Sequence, residues 1–100
     1  MSEGVNVAKL QPLVVTTAHK GVFFGYGIPS DAPTIRLEQA RMCVYWSRGV
    51  QSVLGLAEKG PQKDCRIGPS VPAITLRDVT SIIEVSVQAV KQWEKGFWSP

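Results

Sequence analysis

Apolar and polar positions alternate with a period of two along much of this chain, most densely over residues 34–46. Ile35 and Leu37 point one way with Arg36 and Glu38 opposite; Met42, Val44 and Trp46 then share a face opposite Cys43 and Tyr45. That stretch predicts a strand, a one-step break and a second strand, and the rest of the chain reads as cover for it. Upstream, residues 13–18 (Leu-Val-Val-Thr-Thr-Ala) are β-prone through their β-branched side chains. His19-Lys20-Gly21 makes a turn in which Gly21 can supply a positive φ, and residues 22–26 return as the second strand of a hairpin. Gly25 and Gly27 predict a bulge or sharp bend there.

After a turn at Pro29-Ser-Asp-Ala-Pro33 and the central strand pair, Val50, Val53, Leu54 and Ala57 fall at the i, i+3, i+4, i+7 spacing of a helix. Glu58 and Lys59 lie on its polar side, and Gly60-Pro61 stops it. Gly55 inside so short a helix means that packing must hold it. Residues 60–72 form the least regular stretch, a loop. Alternation returns with Ile74 and Leu76 against Thr75 and Arg77, breaks at Asp78, and resumes over residues 81–85. Ser86 is the N-cap of a closing helix with Val87, Val90 and Trp93 inward, ended by Gly96. A weak internal repeat links the halves: Ile35-x-Leu37-x-x-Ala40 aligns with Ile74-x-Leu76-x-x-Val79, and Cys43-Val44 with Ile82-Ile83. The expected fold is mainly β (α+β): a small, strongly bent antiparallel sheet or barrel with two short helices. It occupies residues 12–100 as one domain behind an N-terminal arm, residues 1–11.

Composition adds limits rather than an activity. Hydrophobic residues at 44% and charged ones at 19% suit a soluble globular chain. The net charge is +3, and the basic residues are spread from Lys9 to Lys95 rather than gathered in one stripe, so nucleic acid is a possible but not a favoured partner. Two cysteines, Cys43 and Cys65, are too few for a secreted disulfide framework and read as thiols. The N-terminus lacks the pattern of a signal peptide, and no apolar run approaches the roughly twenty residues of a membrane span. A cytosolic protein is expected.

No catalytic constellation stands out. His19 is the only histidine, which leaves no histidine-based triad and no multi-histidine metal site. No carboxylate pair has the spacing of an acid and base across a cleft, and Glu84 reads as an outward-facing strand residue. The glycine-rich run of residues 21–27 lacks the Lys-Ser/Thr ending of a phosphate loop. No cofactor or metal is called for, and an enzyme is not expected. The cluster of interest is Tyr45-Trp46-Ser47-Arg48 with Arg41 close by. Either Tyr45 or Trp46 faces outward, and an exposed aromatic beside arginines is what a base-stacking, phosphate-pairing site uses. The same aromatic would also suit a barrel rim or a subunit contact. Lys63 and Arg66, on the long loop, can converge on that end. The candidate ligand-binding residues are therefore Arg41, Tyr45, Trp46, Arg48, Lys63 and Arg66.

Two resemblances bear on these motifs. Gly21-x-x-x-Gly25 followed by Ile35-x-Leu37-x-x-Ala40 resembles the first strands of Sm-like and Src-homology-type small barrels. Leu37-x-x-Ala40-Arg41-x-x-x-Tyr45-Trp46, then Ala57-Glu-Lys-Gly60, Ile74-x-Leu76 and Ile83-Glu84, is similar to a family of small proteins encoded by tailed bacteriophages and prophages. That likeness runs from about Val14 to Trp93 and implies origin rather than activity. The expectation that follows is a non-catalytic phage protein acting in the host cytoplasm. It would sequester a host ligand, such as a nucleotide defence signal, or block a host protein. A virion decoration or tail component is the alternative, and a nucleic-acid-binding small barrel a further one. Phe24, Trp93, Phe97 and Trp98 are many large apolar residues for a monomer of this length, so a homo-oligomer is expected.

Overall fold

A computed structural model of the chain describes residues 10–18, 21–45, 52–62 and 65–95. Its elements are β1 (Gln11–Thr17), β2 (Val22–Gly27), β3 (Ile35–Tyr45), α1 (Val53–Glu58), β4 (Arg66–Ile67), β5 (Val71–Leu76), β6 (Val79–Glu84) and α2 (Val87–Lys95). The strands form one antiparallel sheet in the order β4-β3-β2-β1-β6, with β5 also on β3. The fold is mainly β with two short helices, as the alternation predicts.

β4 and β5 run along the same edge of β3. Tyr45 stands opposite Arg66 and Cys43 opposite Ile67; the ladder resumes with Ala40 opposite Val71 and ends with Ile35 opposite Leu76. Across the gap the Gly68 N–H donates to the Met42 carbonyl at 2.9 Å. The stretch read as a loop thus carries β4, and β5 begins at Val71 rather than Ala73.

The link from β5 to β6 is Arg77 and Asp78 alone, yet these strands occupy opposite edges of the sheet. Flat, the edges would lie about 19 Å apart, while the link spans at most about 11 Å. The sheet must therefore curl until its edges approach at this corner. Asp78 makes the turn with φ 55, its carbonyl accepting from the Ala18 N–H at 2.9 Å, and the Val79 N–H donates to the Pro33 carbonyl at 2.9 Å. Among the described residues β6 pairs only with β1, so the sheet stays open and the barrel alternative is not realised.

Curling gives the sheet two buried faces. Inside the curl lie Leu13, Val15, Ile35, Leu37, Ala40 and Leu76. On the outer face Val14, Val22, Phe24, Cys43 and Ile67 pack under the helices with Leu56, Ala57, Ala89 and Trp93. β1 serves both, which is why Leu13, Val14 and Val15 form an unbroken apolar run with no solvent exposure. The one-step break in β3 is Gln39, at φ 49. It lets Ile35 and Leu37 before it, and Ala40 after it, reach the same inner core. The predicted bend in β2 is also present: the β2–β3 register shifts between Phe24 and Tyr26. A Cβ on the intervening Gly25 would lie 2.8 Å from the Leu37 Cβ. Gly21 has no positive φ; its missing side chain makes room for the Phe23 ring, which a Cβ would meet at 2.6 Å.

The helices are locked by Trp93. Its ring stacks on Phe24 with centroids 4.9 Å apart, and its indole N–H donates to the Leu56 carbonyl at 3.0 Å. Ser86 is the expected cap, accepting from the Ala89 N–H at 3.0 Å, and its hydroxyl donates to the Glu58 carbonyl at 2.6 Å, joining the start of α2 to the end of α1. Ser52 caps α1 by accepting from the Leu54 N–H at 3.2 Å.

Helix phases differ from expectation in two places. Leu54 is exposed while Gly55, Leu56 and Ala57 are buried, because the sheet takes the far side of α1. Val87 is exposed and Ala89 takes the inward place beside Trp93. Phe24 and Trp93 are consumed in the core, which removes them from the argument for an oligomer; Phe97, Trp98, Gly96 and Val50 lie outside the described residues, as do His19 and Lys20. Glu84 is exposed, as expected, and Cys43 and Cys65 are buried in the outer-face cluster. No described helix is long and apolar enough to cross a membrane.

Gly60 closes α1 at φ 82, where a Cβ would sit 2.7 Å from the Gln92 Cβ and 2.9 Å from the Ala89 carbonyl oxygen. Gly60→Ala should cost about 2–4 kcal/mol of stability in urea unfolding, from left-handed strain plus overpacking. Gly68→Ala is the control. Its Cβ would meet only the Met42 carbonyl oxygen, at 3.6 Å, so stability should hold. Trp93→Ala should cost about 3–5 kcal/mol.

Candidate functional site

The described candidates, Arg41, Tyr45 and Arg66, fall at the far end of β3 and on the strand paired with it. Arg41 is half-buried, and its guanidinium donates to the Gly68 carbonyl at 3.3 Å. Arg66 is exposed on β4, directly across the ladder from the backbone of Tyr45. The expected convergence of the long loop on this end of β3 is thus present for Arg66. Trp46, Arg48 and Lys63 lie outside the described residues.

Beside Arg41 lies a feature that the alternation pattern left unassigned. Phe23, Ala40, Met42, Val44, Val71 and Ile74 line an open apolar groove of about 390 Å³, with Gly68 and Pro69 at one side and Arg41 at the rim. Met42, Val44 and Val71 are 44%, 56% and 42% exposed, so the groove walls are wet apolar side chains rather than a sealed core. After Gln39 both faces of β3 carry apolar residues, with Cys43 buried beneath the helices while Met42 and Val44 look out. That surplus is the sequence signal for the groove. Val71 was hidden from the pattern because it falls in a Pro/Gly-rich stretch.

Phe23 and Met42 also border a second depression, of about 590 Å³, which runs to the β5–β6 corner past Thr17, Gly21, Thr75 and Arg77. The two hollows therefore adjoin across Phe23 and Met42 as a trough bordered by the inner-core residues Ala40 and Leu76. A separate hollow lies on the helical side, where exposed Leu54 borders it with Glu58, Ile83 and Glu84. Among the described residues no group of three or more His, Cys, Asp or Glu side chains could hold a metal ion.

Among the described residues Tyr26 is the strongly shifted acid, and it lines neither hollow. Burial, helped by the Glu94 carboxylate that accepts the phenol hydrogen at 2.6 Å and adds negative charge, pushes Tyr26 up from 10.0 to about 12. Tyr26 also meets Phe24 edge-on at 5.5 Å, so the Tyr26–Glu94 pair fastens α2 to β2.

A family model for a domain of unknown function, DUF6948, matches residues 10–93. No curated protein and no solved structure matches the chain.

The raised Tyr26 value means that the folded state favours the neutral phenol. That contribution to stability is complete below the unfolded value of 10.0 and is lost as pH rises through about 12. Urea unfolding followed from about pH 9 to about 11.5 should therefore show a shallower loss of stability in Tyr26→Phe than in the native protein. Equal slopes would refute the assignment.

Proposed function

The chain belongs to the DUF6948 family, and we propose that it is a non-catalytic binding protein whose ligand seats in the trough beside β3. The observation that carries this reading is the contiguous exposure of Met42, Val44 and Val71 around a groove with Arg41 at its rim. Apolar surface gathered in a concavity supports recognition of a mainly apolar ligand. Methionine in the wall suits such a site because its flexible thioether adapts to shape.

A nucleotide is the weaker candidate for this groove. Several phosphate oxygens would need several donors, and the lining offers the Arg41 guanidinium, already engaged with Gly68. In the phage setting that the motif likeness suggests, the proposed role is to occupy an apolar ligand or surface of the host. A second reading, a self-assembling virion component, draws on exposed Leu54 on the helical side, since an assembling subunit needs two separate surfaces.

Two measurements separate these readings. The protein should enhance the fluorescence of 1-anilinonaphthalene-8-sulfonate while fully folded, and Val44→Glu should weaken that binding about tenfold or more without changing stability. Undiminished dye binding in Val44→Glu would overturn the groove as the site. Native mass spectrometry should give one discrete species; a ladder of open assemblies that vanishes in Leu54→Glu would favour the virion reading instead.

A further inference from the structure

We infer that the trough takes a single-chain amphiphile, with its apolar tail in the groove and a net-neutral, hydrogen-bonding head in the second hollow. This inference rests on the groove being a binding site, and it names the ligand class and the direction in which the ligand lies.

The first observation is that the two hollows differ in chemistry and follow one another along one strand. β5 lends Val71 and Ile74 to the groove; its end and the turn beyond lend Thr75, Leu76, Arg77 and Asp78 to the second hollow. Ala40, Met42 and Val44 complete the apolar wall of the groove, and the guanidinium of Arg41 at its rim is turned to the Gly68 carbonyl. Phe23 and Met42 border both hollows, so the apolar surface runs without a gap to the polar end. A ligand apolar throughout would cover the polar end without partners, and a polar one would lie unpartnered on the aliphatic walls. A ligand divided along its length matches both ends.

The second observation is the place of a hydroxyl. Thr17 Oγ1 accepts from the Gly21 N–H at 3.2 Å and keeps its own hydrogen to donate. A Cβ on Gly21 would meet that oxygen at 2.9 Å and the Phe23 ring at 2.6 Å. The hydroxyl therefore stands close to the ring that borders both hollows, where tail gives way to head.

The third is charge and size. Arg77 and Asp78 are both exposed and give the second hollow one charge of each sign. A head of either net charge meets one attraction and one repulsion there, with nothing to offset its desolvation, whereas a neutral head of donors and acceptors is matched. The volumes, about 390 and 590 Å³, fall within the roughly 300–1,000 Å³ of small-molecule sites.

The test is titration of the full-length protein with octyl β-glucoside, nonanoate and octylammonium, each below its micelle-forming concentration, followed by backbone amide resonances. Octyl β-glucoside should shift Val44 and Val71 together with Arg77 and Asp78, and methyl β-glucoside, the head alone, should shift none of them. It should also bind more tightly than either ion. Val71→Glu should weaken it about tenfold with far-UV circular dichroism unchanged. Asp78→Asn, in which asparagine tolerates the positive φ, should strengthen nonanoate about threefold, and Arg77→Gln should do the same for octylammonium. Tighter binding of either ion, shifts confined to one hollow, or charge variants without effect on the ions would overturn the inference. If these fail while binding of the anilinonaphthalene dye still depends on Val44, the groove stands as a site that does not orient an amphiphile. If the dye also fails to bind, the groove reading falls with it.

Discussion

The two-residue connection between β5 and β6 is the constraint from which the rest of the structure follows. It joins strands that sit at opposite edges of the sheet, so the sheet has to curl, and curling turns one apolar face inward. The inner core of Leu13, Val15, Ile35, Leu37 and Leu76 is the direct result. The outer face, still apolar, needs separate cover, and the helices supply it through Trp93, which touches β2 by ring stacking and α1 by a hydrogen bond. The curl stops short of closure, and the trough adjoins its inner core at Ala40 and Leu76.

Much of this architecture is legible in the chain. The repeat of Ile35-x-Leu37-x-x-Ala40 and Ile74-x-Leu76-x-x-Val79 is also a repeat of conformation: the fifth residue of each copy, Gln39 or Asp78, has a positive φ. The copies then diverge. The first continues as β3 within one sheet position, while the second passes from one edge to the other as β5 and β6. Alternation reports a break in a strand, but the identity of the strand paired on either side depends on contacts distant in sequence. The same limit applies to the helices. In α1 the apolar residues Val53, Leu54, Leu56 and Ala57 fit more than one stripe, and the position of the sheet decides that Leu56 goes in and Leu54 out.

The candidate site was legible only in part. Arg41 and Arg66 could be nominated as cations near one end of β3, and the β4 ladder does bring Arg66 across from Tyr45. The groove itself could not be read, because it is assembled from β2, β3 and β5, whose pairing joins residues distant in sequence. A surplus of apolar residues on both faces of β3 after Gln39 signals that one face has no structural cover. It does not say which one.

The pairing of β1 with β6 has a consequence for synthesis of the chain. β1 and β2 can zip as a hairpin as soon as residue 27 emerges, yet the outer side of β1 has no mate until residue 84 follows. At ribosomal speeds that interval is several seconds, far longer than hairpin closure. Throughout it Leu13, Val14 and Val15 stand in a nascent hairpin with one bare flank, so the protein is most open to mispairing and chaperone capture before its last strand has been made.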